Sequence, residues 1–121
     1  MITRVAVTSL WAPDVGAAVH FYRDVLGLRP LPGHDDPPHF IVQGVMLAIL
    51  RGDPQPALNP NPERFPLIAF AVDDLEAMVG RLEEAAVKLP WGVEGTDETP
   101  WIMLYDPAGN LIEIAQLPSL H

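Results

Sequence analysis

The side chains of this chain that could act on a small molecule gather around one acid, Glu113, in the stretch YDPAGNLIEIAQ from Tyr105 to Gln116. A carboxylate there can ligate a divalent ion, carry a proton or anchor a ligand by hydrogen bonding. Other chemistries are poorly supplied. There is no cysteine, which removes thiol nucleophiles, thiolate metal sites and disulfides together. Neither Ser9 nor Ser119 has a histidine partner in sequence, so no activated hydroxyl can be read. The glycines form no phosphate-cradling loop between a strand and a helix. Of the four histidines, His20 falls on a helix pattern, His34 in a loop and His121 at the terminus. His39 opens a strand and is the one placed to face a site.

Asp106, Pro107, Gly109 and Asn110 make a turn, by a side-chain acceptor, a preset φ and two positions tolerant of positive φ. Beyond it, alternation puts Leu111, Glu113 and Ala115 on one face of a strand and Ile112 and Ile114 on the other. If Tyr105 opposes Leu111 across the turn, Met103 opposes Glu113 and Trp101 opposes Ala115. A strand Glu is ordinarily solvent-facing. Trp101, Met103 and Tyr105 are unusual company for a solvated acid.

The elements that must position this face occur twice. Val5 to Trp11 alternates as a strand, Asp14 stands at a helix N-cap, and Val15, Ala18, Val19, Tyr22 and Leu26 recur at helical spacing up to Gly27. Leu28 to Leu31 is a short edge strand, GHDDPP a loop, and His39–Val42 with Val45–Arg51 a hairpin about Gln43 and Gly44. RGDPQPALNPNPERFP is a proline-stiffened linker. The pattern then restarts. Leu67 to Val72 is a strand, and Asp73 or Asp74 caps a helix with Leu75, Met78, Val79, Leu82 and Ala86 on its apolar side. Trp91 to Val93 is an edge strand, followed by Trp101–Tyr105 and Leu111–Gln116. A shift of 60 lays Val7 on Leu67, Leu10 on Phe70, Asp14 on Asp74 and Val19 on Val79. The expectation is an α+β fold of two βαβββ modules, about 1–52 and 65–118, joined by a linker of about 53–64 within one domain of 121 residues.

Seven basic residues against sixteen acidic ones give a net charge of −9, which repels phosphate backbones and anionic lipid. Neither nucleic acid nor membrane is an expected partner. With no signal-peptide pattern at MITRVAV and no apolar run of spanning length, a cytoplasmic location is expected.

Three segments, HFYRDVLGL (His20–Leu28), LIAFAVDDLEA (Leu67–Ala77) and DPAGNLIEIAQ (Asp106–Gln116), give the chain a resemblance to the vicinal oxygen chelate superfamily, the glyoxalase, bleomycin-resistance and extradiol dioxygenase group. The resemblance implies paired βαβββ modules forming a curled sheet around a cup-shaped site, and a homodimer. Metal-dependent members hold a divalent ion with one side chain on each of four strands. Carried over by position, those places fall on Val7, Leu67, Glu113 and, on the last strand of the first module, near Ala48. Only Glu113 can donate, so no cofactor is expected and a divalent metal is disfavoured.

On this reading the cup is lined by Val7, Ser9, Trp11, Met46, Ala48, Leu67, Ala69, Trp101, Met103, Tyr105 and Glu113, an apolar and aromatic surface with few polar groups. The bland alternative is that these side chains fill a core. Glu113 enclosed there would be a candidate proton carrier or hydrogen-bond anchor, and equally a piece of retained scaffold. The functional expectation is a metal-independent small-molecule-binding protein whose ligand is aromatic or cationic. The alternative is an enzyme of the glyoxalase or dioxygenase kind, a lyase or oxidoreductase, using a divalent metal or Glu113 as acid and base.

Overall fold

Two helix starts sixty residues apart are capped in the same way. Asp14 is extended (φ −107°, ψ 93°) and its Oδ1 accepts the Ala17 N–H at 3.0 Å. Asp74 (φ −136°, ψ 100°) does the same for Ala77 at 3.1 Å. Each cap satisfies a backbone donor that the first helical turn leaves without an intrahelical partner. They open α1 (Val15–Val19) and α2 (Leu75–Glu84). The computed structural model describes Met1, residues 7–54 and residues 67–117, so all but the first two residues of the proline-rich linker lie outside the described residues, with His121 and Ser119.

The chain divides into two compact units, one of Met1–Gln55 with Pro107–Asn110 and the other of Pro56–Asp106 with Leu111–His121. In the first, β1 (Val7–Ala12), β2 (Arg29–Asp35), β3 (Pro38–Val42) and β4 (Val45–Arg51) form a sheet in the order β1-β4-β3-β2. In the second, β5 (Ile68–Val72), β6 (Glu94–Gly95), β7 (Pro100–Tyr105) and β8 (Leu111–Gln116) follow the same plan, β5-β8-β7-β6. In both, the first strand runs parallel to the last and the other pairs are antiparallel. The repeated order is what the shift of 60 implies, and the fold is α+β.

Each sheet buries one face. In the first unit Ala12, Phe40, Leu47 and Ile49 are buried with Ala18, Phe21, Tyr22, Val25 and Leu26, and the Phe21 and Tyr22 rings meet edge to face at 5.2 Å. In the second, Ile102, Leu104, Ile112 and Ile114 share a face and are buried with Leu75 and Leu82 of α2. Gln116, on that same face, places Oε1 3.0 Å from the Leu75 N–H. This bond gives a second helix-start donor a partner and fixes α2 on the isoleucine side.

Four local expectations are corrected. The first helix is α-helical only to Val19 and continues as a π-helical segment over His20–Val25, with Leu26 N–H donating to Phe21 O at 2.9 Å. The wider turn lets the adjacent Phe21 and Tyr22 both be buried, and Gly27 at φ 78° ends it. The GHD of the supposed loop belongs to β2, which pairs with β3 through an irregularity between Pro30 and Asp35. α2 stops at Glu84, and Ala86 (φ 58°) is exposed beyond it rather than on its apolar side. The edge strand expected at Trp91–Val93 is instead Glu94–Gly95, because the Thr96–Thr99 turn fixes the pairing: Thr96 Oγ1 accepts the Thr99 N–H at 3.1 Å.

The π-helical segment carries an exposed charge cluster in which Arg23 Nε and a terminal guanidinium nitrogen donate to Asp24 at 2.9 and 3.0 Å, with His20 Nδ1 2.9 Å away. The bonds from Arg23 hold the Asp24 carboxyl at about 2, below its ordinary 3.8. A lowered carboxylate contributes stability that is complete above its unfolded value and is lost as pH falls through the folded one, so this pair should weaken between about pH 4 and pH 2. Full exposure keeps the effect on stability small. Carbon-detected NMR titration should find Asp24 titrating near 2, and Arg23→Gln should return it toward the ordinary range.

Candidate functional site

Glu113 sits in the middle of β8, between Ala69 of β5 and Met103 of β7. Cross-strand neighbours share a face, so the open face of this sheet can be read row by row. Tyr105 pairs with Leu111, Glu113 pairs with Met103 on one side and Ala69 on the other, and Ala115 with Trp101 and Ala71. The pairing across the Asp106–Asn110 turn is the one the turn chemistry implies. Glu113, Met103 and Trp101 are half-buried, while Leu67, Ala69 and Tyr105 are exposed. Among the described residues no hydrogen bond or ion pair engages the Glu113 side chain.

The open face of the first sheet has the same layout. Met46 pairs with Val7 on one side and Ile41 on the other, Ala48 with Ser9 and His39, and Leu50 with Trp11. Ala48 occupies in its sheet the place that Glu113 occupies in the other, and His39 the place of Met103. Ala48 is buried, Met46 and His39 are half-buried, and Val7, Ser9 and Trp11 are exposed, Trp11 to 51%. The candidate residues thus fall on the open faces of two sheets, each in one register.

Two features were invisible to sequence reasoning. Ser9 and His39 share a row with only the small Ala48 between them, although 30 residues separate them in sequence. His39 Nδ1 lies 2.8 Å from the Pro37 carbonyl, which can only accept, so Nδ1 carries the proton and Nε2 of the neutral ring is left as an acceptor. The second feature is Glu94, which pairs with Trp101 and so stands on the open face of the second sheet. Its Oε1 is sealed from solvent with no hydrogen-bond partner. Only the placement of β6 reveals it, since alternation from Trp91 gives no reason to single it out.

The tryptophans are held by glycines. A Cβ on Gly52 would come within 2.8 Å of Trp11 Cε3. Asn110 Nδ2 donates to the Trp11 carbonyl at 2.9 Å, which ties the Pro107–Asn110 turn into the first unit. In the second unit a Cβ on Gly95 (φ 87°) would meet the Trp101 ring at 2.5 Å and the Thr99 carbonyl at 2.7 Å. The Trp101 ring therefore lies against backbone that carries no side chain. The Trp91 and Tyr105 rings pack at 5.9 Å in a tilted pair.

As for a metal, Glu113 is bordered in register by a methyl group and a thioether, and the side chains at the other resemblance-assigned places are Val7, Leu67 and Ala48. Among the described residues no three His, Asp or Glu side chains gather as a metal site. No described helix is long and apolar enough to cross a membrane.

The sequence matches the family model of the glyoxalase/bleomycin resistance protein/dioxygenase superfamily over residues 4–114. The chain belongs to this superfamily. No curated protein matches it. Among solved structures, a glyoxalase/dioxygenase from Nostoc punctiforme is similar at 26% identity and a TM-score of 0.76, covering 96% of this chain and 92% of that one. A lactoylglutathione lyase from Agrobacterium tumefaciens is similar at 26% identity and a TM-score of 0.69, over 95% and 94% of the two chains. The fosfomycin resistance protein FosX from Mesorhizobium loti shares the fold at 16% identity, with a TM-score of 0.76 over 98% and 95%. Superfamily membership fixes the architecture and does not by itself fix a reaction.

Gly95→Ala should test how Trp101 is placed. It must displace the ring and adopt a strained φ, whereas Gly92→Ala (φ 63°, open space) meets only the strain. The expected outcome is a larger loss of near-ultraviolet circular dichroism and of denaturation midpoint for Gly95→Ala than for Gly92→Ala. Equal effects would mean that the Trp101 ring is not held by this contact.

Proposed function

We propose that this superfamily member is a small-molecule-binding protein that works without a bound divalent ion, its ligand resting on an apolar, aromatic surface that carries Glu113. The observation that carries the reading is the donor set around that acid. A divalent ion of this kind takes three or more nitrogen or oxygen ligands at about 2.0 to 2.2 Å. Ala69 and Met103 adjoin Glu113, and Val7, Ala48 and Leu67 stand at the remaining positions that the resemblance assigns. None supplies such a donor. The residues present therefore do not fit a metal.

Half-buried Trp101 and Met103, with Tyr105 beside them, suit a flat apolar ligand. One acid in that setting can accept from a ligand N–H or O–H.

A second reading, an enzyme using Glu113 as acid and base, is favoured by one observation. That carboxylate has no partner among the described residues, which leaves both its oxygens free to exchange a proton with a ligand. The likeness to a lactoylglutathione lyase at 26% identity leans the same way.

Metal content separates the readings. Inductively coupled plasma mass spectrometry on untagged protein, before and after incubation with Ni, Mn, Zn and Fe(II) and desalting, should find no stoichiometric ion. About one ion per chain that disappears in Glu113→Ala would overturn the metal-free proposal.

The reading includes a homodimer, because Val7, Trp11 and Ile41 leave apolar surface exposed on the first sheet. Sedimentation velocity should give about twice the 13.3 kDa chain mass, and a monomer at micromolar concentration would remove this part.

A further inference from the structure

We propose that the open face of the second sheet binds a small organic cation, an ammonium or quaternary ammonium group held between Glu94 and Glu113 against the ring of Trp101. The proposal rests on the small-molecule-binding reading above and names the ligand class for that surface.

The two acids are placed by register. Glu94 of β6 pairs with Trp101 of β7, and Glu113 of β8 pairs with Met103, two residues further along β7. All four share one face. With two strand spacings between β6 and β8 and a two-residue offset, their Cα atoms are about 12 Å apart, a span that two Glu side chains and one small ligand fill. Two carboxylates alone are too few donors for a divalent ion, and no third His, Asp or Glu joins them among the described residues. The span suits an organic cation whose apolar part lies on Trp101 and Met103.

Neither carboxylate has a described partner. Glu94 Oε1 is sealed from solvent without a donor, and among the described residues Glu113 has no hydrogen bond or ion pair. Asp14 and Asp74, by contrast, cap helices, and Asp24 binds Arg23. Leaving a buried carboxylate oxygen unpaired is costly, and a positive charge close to the half-buried Glu94 side chain would offset that cost.

Charge along the chain favours a cation here. Residues 1–55 hold five acids and four bases, whereas residues 56–121 hold eleven acids and three bases, so the halves carry −1 and −8. Among the described residues of the second unit the basic side chains are Arg81 and Lys88, on and just past α2, which lies against the opposite, isoleucine face. No described positive side chain shares the open face with Glu94 and Glu113. An anion approaching it meets two like charges. A neutral aromatic leaves both acids unmatched.

Trp101 completes the site. Its ring is pinned against Gly95, so its π face needs little ordering when a cation arrives. Trp91 and Tyr105 extend the aromatic surface, both more than a third exposed.

The test is isothermal titration of the full chain with benzyltrimethylammonium and benzylamine, with benzyl alcohol and benzoate as neutral and anionic analogues of the same shape. The cations should bind about tenfold or more tighter than benzyl alcohol, with affinity falling as salt rises. Glu94→Gln and Glu113→Gln should each weaken the cations by about three- to tenfold and leave benzyl alcohol unchanged. Glu83→Gln, an exposed helix position with the same change in net charge, should do neither. Circular dichroism confirms that each variant is folded. If benzyl alcohol binds wild-type protein as tightly as the cations, or Glu94→Gln leaves them unaffected, the cation site is wrong while the binding reading stands. If no member of the series binds, both fall.

Discussion

Each sheet depends on the parallel pairing of the first strand of its module with the last. A parallel pair cannot be closed by a tight turn, so the chain must leave the sheet and return, and a helix makes the crossing. The crossing covers one face only. In the second unit Ile102, Leu104, Ile112 and Ile114 are buried on the α2 side, and the other face keeps Trp101, Met103 and Glu113 half-buried. The pairing also makes β8 a central strand, with Ala69 on one side of Glu113 and Met103 on the other. The parallel pair thus decides both which face is open and what surrounds its acid.

That placement has an electrostatic consequence. A carboxylate on a central strand cannot swing to the edge for solvation, so its neighbours set its chemistry. Where those neighbours carry nitrogen or oxygen, the same backbone supports a metal centre. Here they are a methyl and a thioether, and the nearest polar relief in register is Glu94, another acid. The sheet therefore presents negative charge over an aromatic floor, and that asymmetry matches the uneven division of charge along the chain.

Much of the architecture is legible in the sequence because it is written twice. Asp14 and Asp74 announce helix starts, and the Asp106–Asn110 turn fixes the register of β7 on β8 so tightly that Met103 has to oppose Glu113. What is not legible depends on contacts between distant segments. β2 runs through Gly33 and His34 because β3 supplies partners beyond an irregularity, and nothing local to GHD requires a strand. The π-helical segment answers the need to bury two adjacent rings, Phe21 and Tyr22, a demand of the core rather than of helix propensity. β6 falls on Glu94–Gly95 because only a glycine lets the Trp101 ring lie against the strand.

The shift of β6 by a few residues changes the chemistry as well as the topology. A strand at Trp91–Val93 would set Trp91 or Val93 in the row of Trp101 and leave Glu113 as the lone acid of the face. The strand at Glu94–Gly95 puts a second carboxylate there and seals one of its oxygens. A lone half-buried acid suits a proton carrier or a ligand hydroxyl equally well. Two acids without described partners across a tryptophan favour positive charge, because a cation offsets both charges while its apolar part rests on the ring. The two-residue edge strand thus narrows the function more than the six-residue strand that bears Glu113.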